Sequence, residues 1–132
     1  MLKAVIDTNV FVSAFLTDGI GAKIIKRWKK DEFILITSKE ILQEVSEVLK
    51  RLGAPDTYIA RLLKLIQQKA KIVKPNFKVQ ICRDPDDNKF IDCAIKGNAS
   101  IIVTSDQDLK EIGKYKNIII ISAKELLEQL EK

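Results

Sequence analysis

The chain has 132 residues, of which 46% are hydrophobic and 31% charged, and its formal net charge is +5 at pH 7. This composition excludes disordered, collagen-like and coiled-coil proteins, and the absence of histidine excludes Ser-His-Asp triads, histidine-bound zinc and imidazole acid–base catalysis. No apolar stretch approaches the roughly 20 residues of a membrane span, so we expect one cytoplasmic domain over residues 1–132 that has no membrane partner.

The first half of the chain alternates short apolar runs with amphipathic segments. Residues 3–6 predict a strand that leads through a turn into a helix with Val10 on its apolar face. Thr37 and Glu40 form a capping-box pattern, which predicts that a helix begins there and continues to about residue 52. The other predicted elements are a helix over residues 22–30, a strand over residues 33–36 and a helix over residues 56–70.

The second half continues this alternation after a less regular segment. Residues 71–83 contain two short strand candidates, over residues 72–73 and 79–81. Ser105 with Asp108 forms a second capping-box pattern. The other predicted elements are a helix that begins at residues 84–87 and ends at Gly97, strands over residues 101–104 and 118–121, and a last helix capped by Ser122 with Glu125.

This order of elements is typical of a parallel sheet with helices on both faces, because the strands are apolar throughout. We therefore predict an α/β fold, a three-layer α/β/α sandwich with a central parallel sheet. In open sheets of this kind, ligands bind outside the carboxyl ends of the strands. Acidic residues that follow strands are thus the first candidates for a functional site.

Two aspartates follow predicted strands. Asp7 comes directly after the first strand, and Asp106 lies two residues beyond Thr104, where another strand ends. Both belong to the same edge of the predicted sheet. The alternative is that each aspartate only caps the helix that follows it, which is the common role of a single aspartate in this position.

Helical spacing selects one further acid from each of two helices. Glu44 falls at the edge of an apolar arc formed by residues 41, 45, 48, 49 and 52. Asp87 falls inside the apolar arc of its helix, whereas Asp92 projects to the opposite side. A carboxylate beside a buried face costs free energy unless it is paired or binds a metal ion. The alternatives are that Glu44 reaches a surface lysine and that Asp87 belongs to a capping turn over residues 84–87.

The four selected acids form an all-oxygen ligand set. Without histidine, such a set favours hard cations, so we predict Mg²⁺ or Mn²⁺ as the cofactor. In the two-metal scheme, ions about 3.5–4 Å apart activate a water molecule and stabilise the departing oxygen of a phosphodiester. The predicted metal-binding and catalytic residues are Asp7, Glu44, Asp87 and Asp106.

Three stretches of the chain together resemble a known family. They are Asp7-Thr8-Asn9-Val10, Asp84-Pro85-Asp86-Asp87-Asn88-Lys89-Phe90-Ile91-Asp92 and Ile102-Val103-Thr104-Ser105-Asp106-Gln107-Asp108-Leu109. In this order they look like the motifs of PIN-domain proteins, above all of the VapC-like branch labelled as toxins of type II toxin-antitoxin systems. The resemblance implies a Rossmann-like sandwich and a Mg²⁺- or Mn²⁺-dependent endoribonuclease that cuts single-stranded RNA.

The resemblance also implies roles for individual residues. The family's acidic quartet falls on the same four acids; Asp7, Asp87 and Asp106 would coordinate metal, and Glu44 would bind a second ion or position the attacking water. Hydrolysis would leave a 5′-phosphate and a 3′-hydroxyl. The resemblance also implies that Asn9 orients a carboxylate or a metal-bound water, and that Thr104 or Ser105 supports the last acid. Asp92 or Asp108 would act as an outer-shell ligand.

Three partners follow from the resemblance: single-stranded RNA, a cognate antitoxin protein, and a second copy of the chain in a homodimer. Aromatic residues are only 6% of the chain, so stacking platforms for bases are not expected. RNA would instead be held by positive charge. The candidate groups are Lys23, Lys26, Arg27, Lys29 and Lys30, and Lys64, Lys69 and Lys71.

Other functions fit the sequence less well. A haloacid dehalogenase phosphatase needs a second aspartate where this chain has Asn9, and a response-regulator receiver needs an aspartate at the end of a mid-chain strand, whereas Asp56 begins a helix. The remaining alternative is a catalytically inactive PIN fold that serves as an RNA-binding or assembly module. Such a module would leave the RNA intact and would not need a metal ion to bind it.

Overall fold

The short apolar runs form a six-stranded sheet in this computed structural model, which describes residues 1–132. The strands are β1 (Lys3–Ile6), β2 (Ile34–Ser38), β3 (Lys71–Val73), β4 (Ile101–Val103), β5 (Lys114–Tyr115) and β6 (Ile118–Ile121). They lie in the order β3-β2-β1-β4-β6-β5, and all neighbours are parallel except β5 and β6. The predicted α/β fold is therefore confirmed, with one antiparallel strand added at an edge.

Helices connect the strands and flank the sheet. They are α1 (Thr8–Leu16), α2 (Ile20–Lys29), α3 (Lys39–Arg51), α4 (Asp56–Lys69), α5 (Asn88–Lys96), α6 (Gln107–Ile112) and α7 (Ala123–Leu130), and a single 3₁₀ turn, Pro85–Asp87, precedes α5. Successive residues of a strand face opposite sides of a sheet, and Ala4, Val5 and Ile6 are all buried. Both faces of the central strands are thus covered. None of the helices combines the length and the apolar character needed to cross a membrane.

Strand β5 is the element that the sequence did not predict. It has two residues, and a two-residue turn at Lys116 and Asn117 returns the chain into β6, where Tyr115 pairs with Ile118. Lys116 adopts a positive φ of 53° in this turn. Two residues are too few to show an alternating pattern, so hydrophobic periodicity carries no signal for such a strand.

The cap of α3 lies one residue later than predicted. Thr37 and Ser38 both belong to β2, because they pair with Ile72 and Val73 of β3. Ser38 therefore caps the helix, and its Oγ accepts a hydrogen bond from the backbone N–H of Ile41 at 3.3 Å. The predicted capping role of Thr37 is wrong because the strand pairing extends further than its apolar run.

The cap of α6 is also shifted by one residue. The backbone N–H of Asp108 donates to the carboxylate of Asp106 at 2.9 Å, so Asp106 rather than Ser105 caps this helix. At α7 the capping box of Ser122 and Glu125 is confirmed, with both reciprocal hydrogen bonds present. The shift at α6 matters because the capping residue is itself one of the predicted site residues.

The segment between β3 and the 3₁₀ turn is held by side chains of α5. Asn88 Oδ1 accepts hydrogen bonds from the backbone N–H groups of Ile81 and Cys82, at 3.2 and 2.9 Å, and Asp92 Oδ1 accepts from that of Val79 at 2.9 Å. Residues 79–81 therefore form no strand, contrary to the prediction. The N–H groups of Val79 and Ile81 have side-chain acceptors instead of a neighbouring strand.

Gly97 ends α5 where the helix meets the sheet. A Cβ atom at this position would stand 2.2 Å from Cγ2 of Ile36, a fully buried residue of β2. We expect Gly97→Ala to lower the free energy of unfolding by about 1–3 kcal/mol, because the tightly packed strand has to shift. Chemical denaturation measures this change. Lys96→Ala, at the exposed neighbouring position, should change it by less than about 0.5 kcal/mol, and equal effects of the two substitutions would contradict the packing explanation.

Candidate functional site

The four predicted acids surround one cleft at the carboxyl edge of the sheet. Asp7 follows β1, Asp106 follows β4, Asp87 ends the 3₁₀ turn, and Glu44 lies on α3. The cleft has a volume of about 200 Å³, and its lining consists of Asp7, Thr8, Asn9, Glu44, Val48, Asp87, Phe90 and Asp106. The structure thus brings the predicted quartet and Asn9 together, from four separate parts of the chain.

Asp7 is the most buried member of the quartet, with 3% of its surface exposed. Its Oδ1 accepts from the backbone N–H of Val10 at 3.2 Å, which caps α1, and its Oδ2 accepts from Oγ1 of Thr104. Burial raises the pKa of Asp7 above its usual value, although the hydrogen bonds from Thr104 and from the backbone act in the opposite direction. Asp7 therefore caps a helix and also faces the cleft, so the two alternatives for this residue are compatible.

Thr104 links two of the acids. Its side chain is fully buried, and its hydroxyl donates to Asp7 while accepting from the backbone N–H of Asp106 at 2.9 Å. This arrangement fixes the spacing between the end of β4 and the end of β1. Ser105, the alternative supporting residue, is exposed and does not line the cleft.

Asp87 has a buried carboxylate oxygen that the protein leaves without a partner. Its Oδ2 is buried and has no hydrogen-bond partner, and the carboxylate makes no capping bond to α5. Burial and, to a smaller extent, the neighbouring carboxylates of Asp106 and Asp84 together raise the pKa of Asp87 to about 7. The capping role in this turn belongs to Asp84, which accepts from the backbone N–H of Asp86 at 3.0 Å. A carboxylate in this environment favours a bound cation.

Glu44 has partners from within the chain. Its Oε1 accepts from the hydroxyl of Thr8, and its Oε2 lies 2.8 Å from Nζ of Lys89. The lysine that pairs with Glu44 is therefore a buried one, not a surface residue as in the alternative considered from the sequence. Its side chain is only 5% exposed, and it also contacts Asp86.

The patterns in the sequence do not mark Thr8 and Lys89 as site residues. Both lie inside the stretches that resemble the family motifs, and this position is the one feature of the sequence that points to them. Helical spacing did not mark Lys89, because a lysine beside an apolar arc usually extends its charge into solvent. The acceptor that keeps it inside, Glu44, is 45 residues away in the chain.

The acids form an open cleft and not a closed metal cage. No group of three or more acidic or cysteine side chains is close enough to hold a metal ion by itself. Mg²⁺ is often bound by one or two carboxylates, with water and phosphate oxygens completing its shell. The unpartnered oxygen of Asp87 and the oxygen atoms of the polar lining residues fit such an ion, and the chemistry of Asp7, Asp87 and Asp106 is suited to holding it.

The remaining predicted residues lie outside the cleft. Asp92 is 6% exposed and does not project to solvent, because residues 74–83 cover its side of α5 and Val79 donates to it. The side of α5 opposite the arc of Asp87 is thus a buried side at Asp92. Asp108 is on the outer side of α6, where its carboxylate lies 3.4 Å from Nη1 of Arg83. In the structure neither carboxylate lines the cleft with the quartet.

Two of the basic residues proposed as RNA contacts are engaged elsewhere. Arg27 lies 2.8 Å from Glu32 and 3.3 Å from Glu131, and Lys69 lies 2.7 Å from Asp31. These ion pairs are away from the residues that line the cleft. The pairing lowers the expected contribution of Arg27 and Lys69 to RNA binding.

Comparison with known proteins shows similarity along nearly the whole chain. The sequence model of a family described as PIN domain matches residues 3–108. The uncharacterized protein MJ1680 of Methanocaldococcus jannaschii is 36% identical over 145 residues, which cover 99% of this chain and 93% of that relative.

Two solved structures are similar in fold. VapBC2 from Rickettsia felis, bound to a DNA fragment from its promoter, superposes with a TM-score of 0.62 at 16% identity, covering 92% of this chain and 98% of that one. PAE2754 from Pyrobaculum aerophilum superposes with a TM-score of 0.63 at 18% identity, covering 98% of this chain and 90% of that one.

Proposed function

Because the chain belongs to the PIN domain family, we propose that it is a Mg²⁺- or Mn²⁺-dependent endoribonuclease that hydrolyses single-stranded RNA, with residues 1–132 acting as one nuclease domain. The observation that carries this proposal is the buried, unpartnered oxygen of Asp87 in a cleft shared with Asp7, Glu44 and Asp106. An uncompensated carboxylate of this kind costs folding free energy. A site that holds a divalent cation explains why the chain tolerates this cost.

The residues of the cleft divide the proposed work. Asp7, Asp87 and Asp106 would hold the cation, and Thr104 keeps Asp7 oriented toward it. When bound, the cation supplies an activated water and charge stabilisation for a phosphodiester oxygen. Asn9, which is exposed at the rim, would orient a neighbouring carboxylate or a water molecule. Glu44 would either hold a second ion or position the attacking water.

A cleavage assay tests the proposal. A labelled single-stranded RNA is incubated with the purified chain in Mn²⁺, in Mg²⁺ and in EDTA, and the ends of the products are analysed. We expect cleavage only with a divalent ion, and products that carry a 5′-phosphate and a 3′-hydroxyl. Cleavage that persists in EDTA, or products with a 2′,3′-cyclic phosphate, would contradict a metal-activated water as the nucleophile.

An antitoxin partner is proposed for the same chain. The resemblance to the toxin branch of the family and the structural similarity to VapBC2 support this part of the proposal. A toxin of this kind arrests growth through its nuclease activity. Expression of the wild-type chain in a bacterial host should therefore slow growth, whereas Asp7→Asn should not; growth arrest by both forms would contradict a nuclease toxin.

The second candidate function is an RNA-binding or assembly module without turnover. The observation that favours it is the absence of three acids close enough to enclose a metal ion. RNA binding measured by fluorescence anisotropy separates the two functions. A module should bind equally well in EDTA and in Ca²⁺ and leave the strand intact, whereas the nuclease should bind more tightly with the ion.

A further inference from the structure

Lys89 brings a positive charge to the edge of the acidic cleft. Its Nζ lies 2.8 Å from Oε2 of Glu44, 2.7 Å from the backbone oxygen of Asp86 and 3.1 Å from Oδ2 of the same residue. An ammonium group has three donors, and each of these oxygens can accept one. Because the side chain is 5% exposed, water competes little for these contacts. Lys89 is therefore held in one orientation by the protein itself.

Two carboxylates from separate parts of the chain share the ammonium of Lys89. Those of Glu44 and Asp86 lie 2.8 and 3.1 Å from its Nζ. Opposite charges attract strongly at these distances where water has little access. The group is thus a charged ammonium beside two carboxylates.

The four acids of the cleft differ in the groups of the protein that compensate their negative charge. Both oxygens of Glu44 accept hydrogen bonds from this chain, one from Thr8 and one from Lys89. Asp87, in contrast, has a buried oxygen without a hydrogen-bond partner. Glu44 is therefore in direct contact with a positive charge, whereas Asp87 makes no ion pair.

We infer that the ammonium of Lys89 takes the place of a second metal ion beside Glu44, so that the cleft binds a single divalent cation on the side of Asp7, Asp87 and Asp106. This inference rests on the proposed function. Of the two roles proposed for Glu44, it selects the positioning of the attacking water and not the binding of a second ion. A dication bound to Glu44 would have to share its carboxylate with the ammonium of Lys89 and stand close to a like charge. Lys89 is thus a positioning residue that fixes Glu44 toward the attacking water.

The number of bound ions tests this inference without any RNA. Mn²⁺ is titrated into the metal-free full-length chain, and binding is followed by calorimetry and by the electron paramagnetic resonance signal of free Mn²⁺. We expect one ion per chain for the wild type and for Glu44→Gln, since Glu44 is not needed to hold the ion. Lys89→Met frees Glu44 and should raise the number to two, whereas Lys89→Arg keeps the charge and should restore one.

A matched control is available at the other end of the sheet. Lys69 makes an ion pair of similar length, 2.7 Å to Asp31, near the start of β2, so Lys69→Met should leave the stoichiometry at one. Two ions in the wild type, the loss of an ion in Glu44→Gln, or one ion in folded Lys89→Met would each overturn the inference. If Lys89→Met does not fold, the number of ions bound by the wild type and by Glu44→Gln tests the inference. Absence of any binding would overturn the proposed function itself, together with the inference.

Discussion

Asp7→Asn is expected to reduce the cleavage of single-stranded RNA at least about 100-fold, the usual effect of removing one group that stabilises charge in a transition state. The asparagine oxygen can still accept from the N–H of Val10, so the cap of α1 is kept. Burial raises the pKa of Asp7, which means that its charged form is costly in the folded protein. The amide nitrogen of asparagine cannot accept from Thr104 as Oδ2 does, but removing the buried charge offsets this lost bond. The melting temperature should therefore change by only a few degrees, and the loss of activity should occur in a folded chain.

The matched control for this substitution is Asp18→Asn. Asp18 is exposed between α1 and α2 and makes no ion pair, and the change removes the same charge from the molecule. We expect its cleavage rate to equal that of the wild type. If Asp7→Asn retained the wild-type rate under the same Mn²⁺ concentration, Asp7 would not hold the catalytic ion.

Asp87→Asn is expected to stabilise the metal-free protein and to remove most of its stabilisation by Mn²⁺. The folded-state pKa of Asp87 is raised from 3.8 to about 7. This group therefore favours the folded state fully below pH 3.8, and the contribution is lost as the pH rises through about 7. At pH 8 the metal-free wild type carries a repelled charge that the variant lacks, so the melting temperature of Asp87→Asn should exceed that of the wild type by a few degrees. At pH 5 the difference should be much smaller.

Added Mn²⁺ should reverse this order at pH 8. An ion that binds only the folded state raises the melting temperature with its concentration, and the wild type offers it a charged oxygen that the variant does not. Thermal unfolding at increasing Mn²⁺ concentrations measures the effect. Asp92→Asn is the control, because its amide oxygen can still accept from Val79 and its position is outside the cleft. Equal Mn²⁺ responses of Asp87→Asn and Asp92→Asn would mean that Asp87 is not a ligand.

The fold and the position of the cleft could be predicted from local patterns. Apolar runs between amphipathic segments predict a parallel sheet, and the carboxyl edge of such a sheet selects Asp7 and Asp106. Helical spacing added Glu44 and Asp87, because a carboxylate beside an apolar arc costs free energy unless it is paired or binds a metal ion. The structure places these four side chains around one cleft.

What could not be predicted depends on contacts between distant parts of the chain. Asp92 is buried because an irregular segment folds over α5, and that segment shows no periodicity from which its path could be read. Lys89 is buried because Glu44 and Asp86 compensate its charge, and spacing within one helix cannot reveal such a partner. The cap of α3 moved by one residue for a similar reason, because pairing with β3 determines that β2 ends at Ser38.

The double role of the strand-end aspartates has a consequence for recognising inactive relatives of this chain. Asp7 and Asp106 each begin a helix through a side-chain hydrogen bond, so an acid can persist at these positions for folding alone after activity has been lost. Asp87 makes no capping bond and is costly without a cation, so nothing in folding favours keeping it. In homologous sequences, the residue at the position of Asp87 should therefore distinguish working enzymes from degenerate copies better than the two aspartates that follow strands.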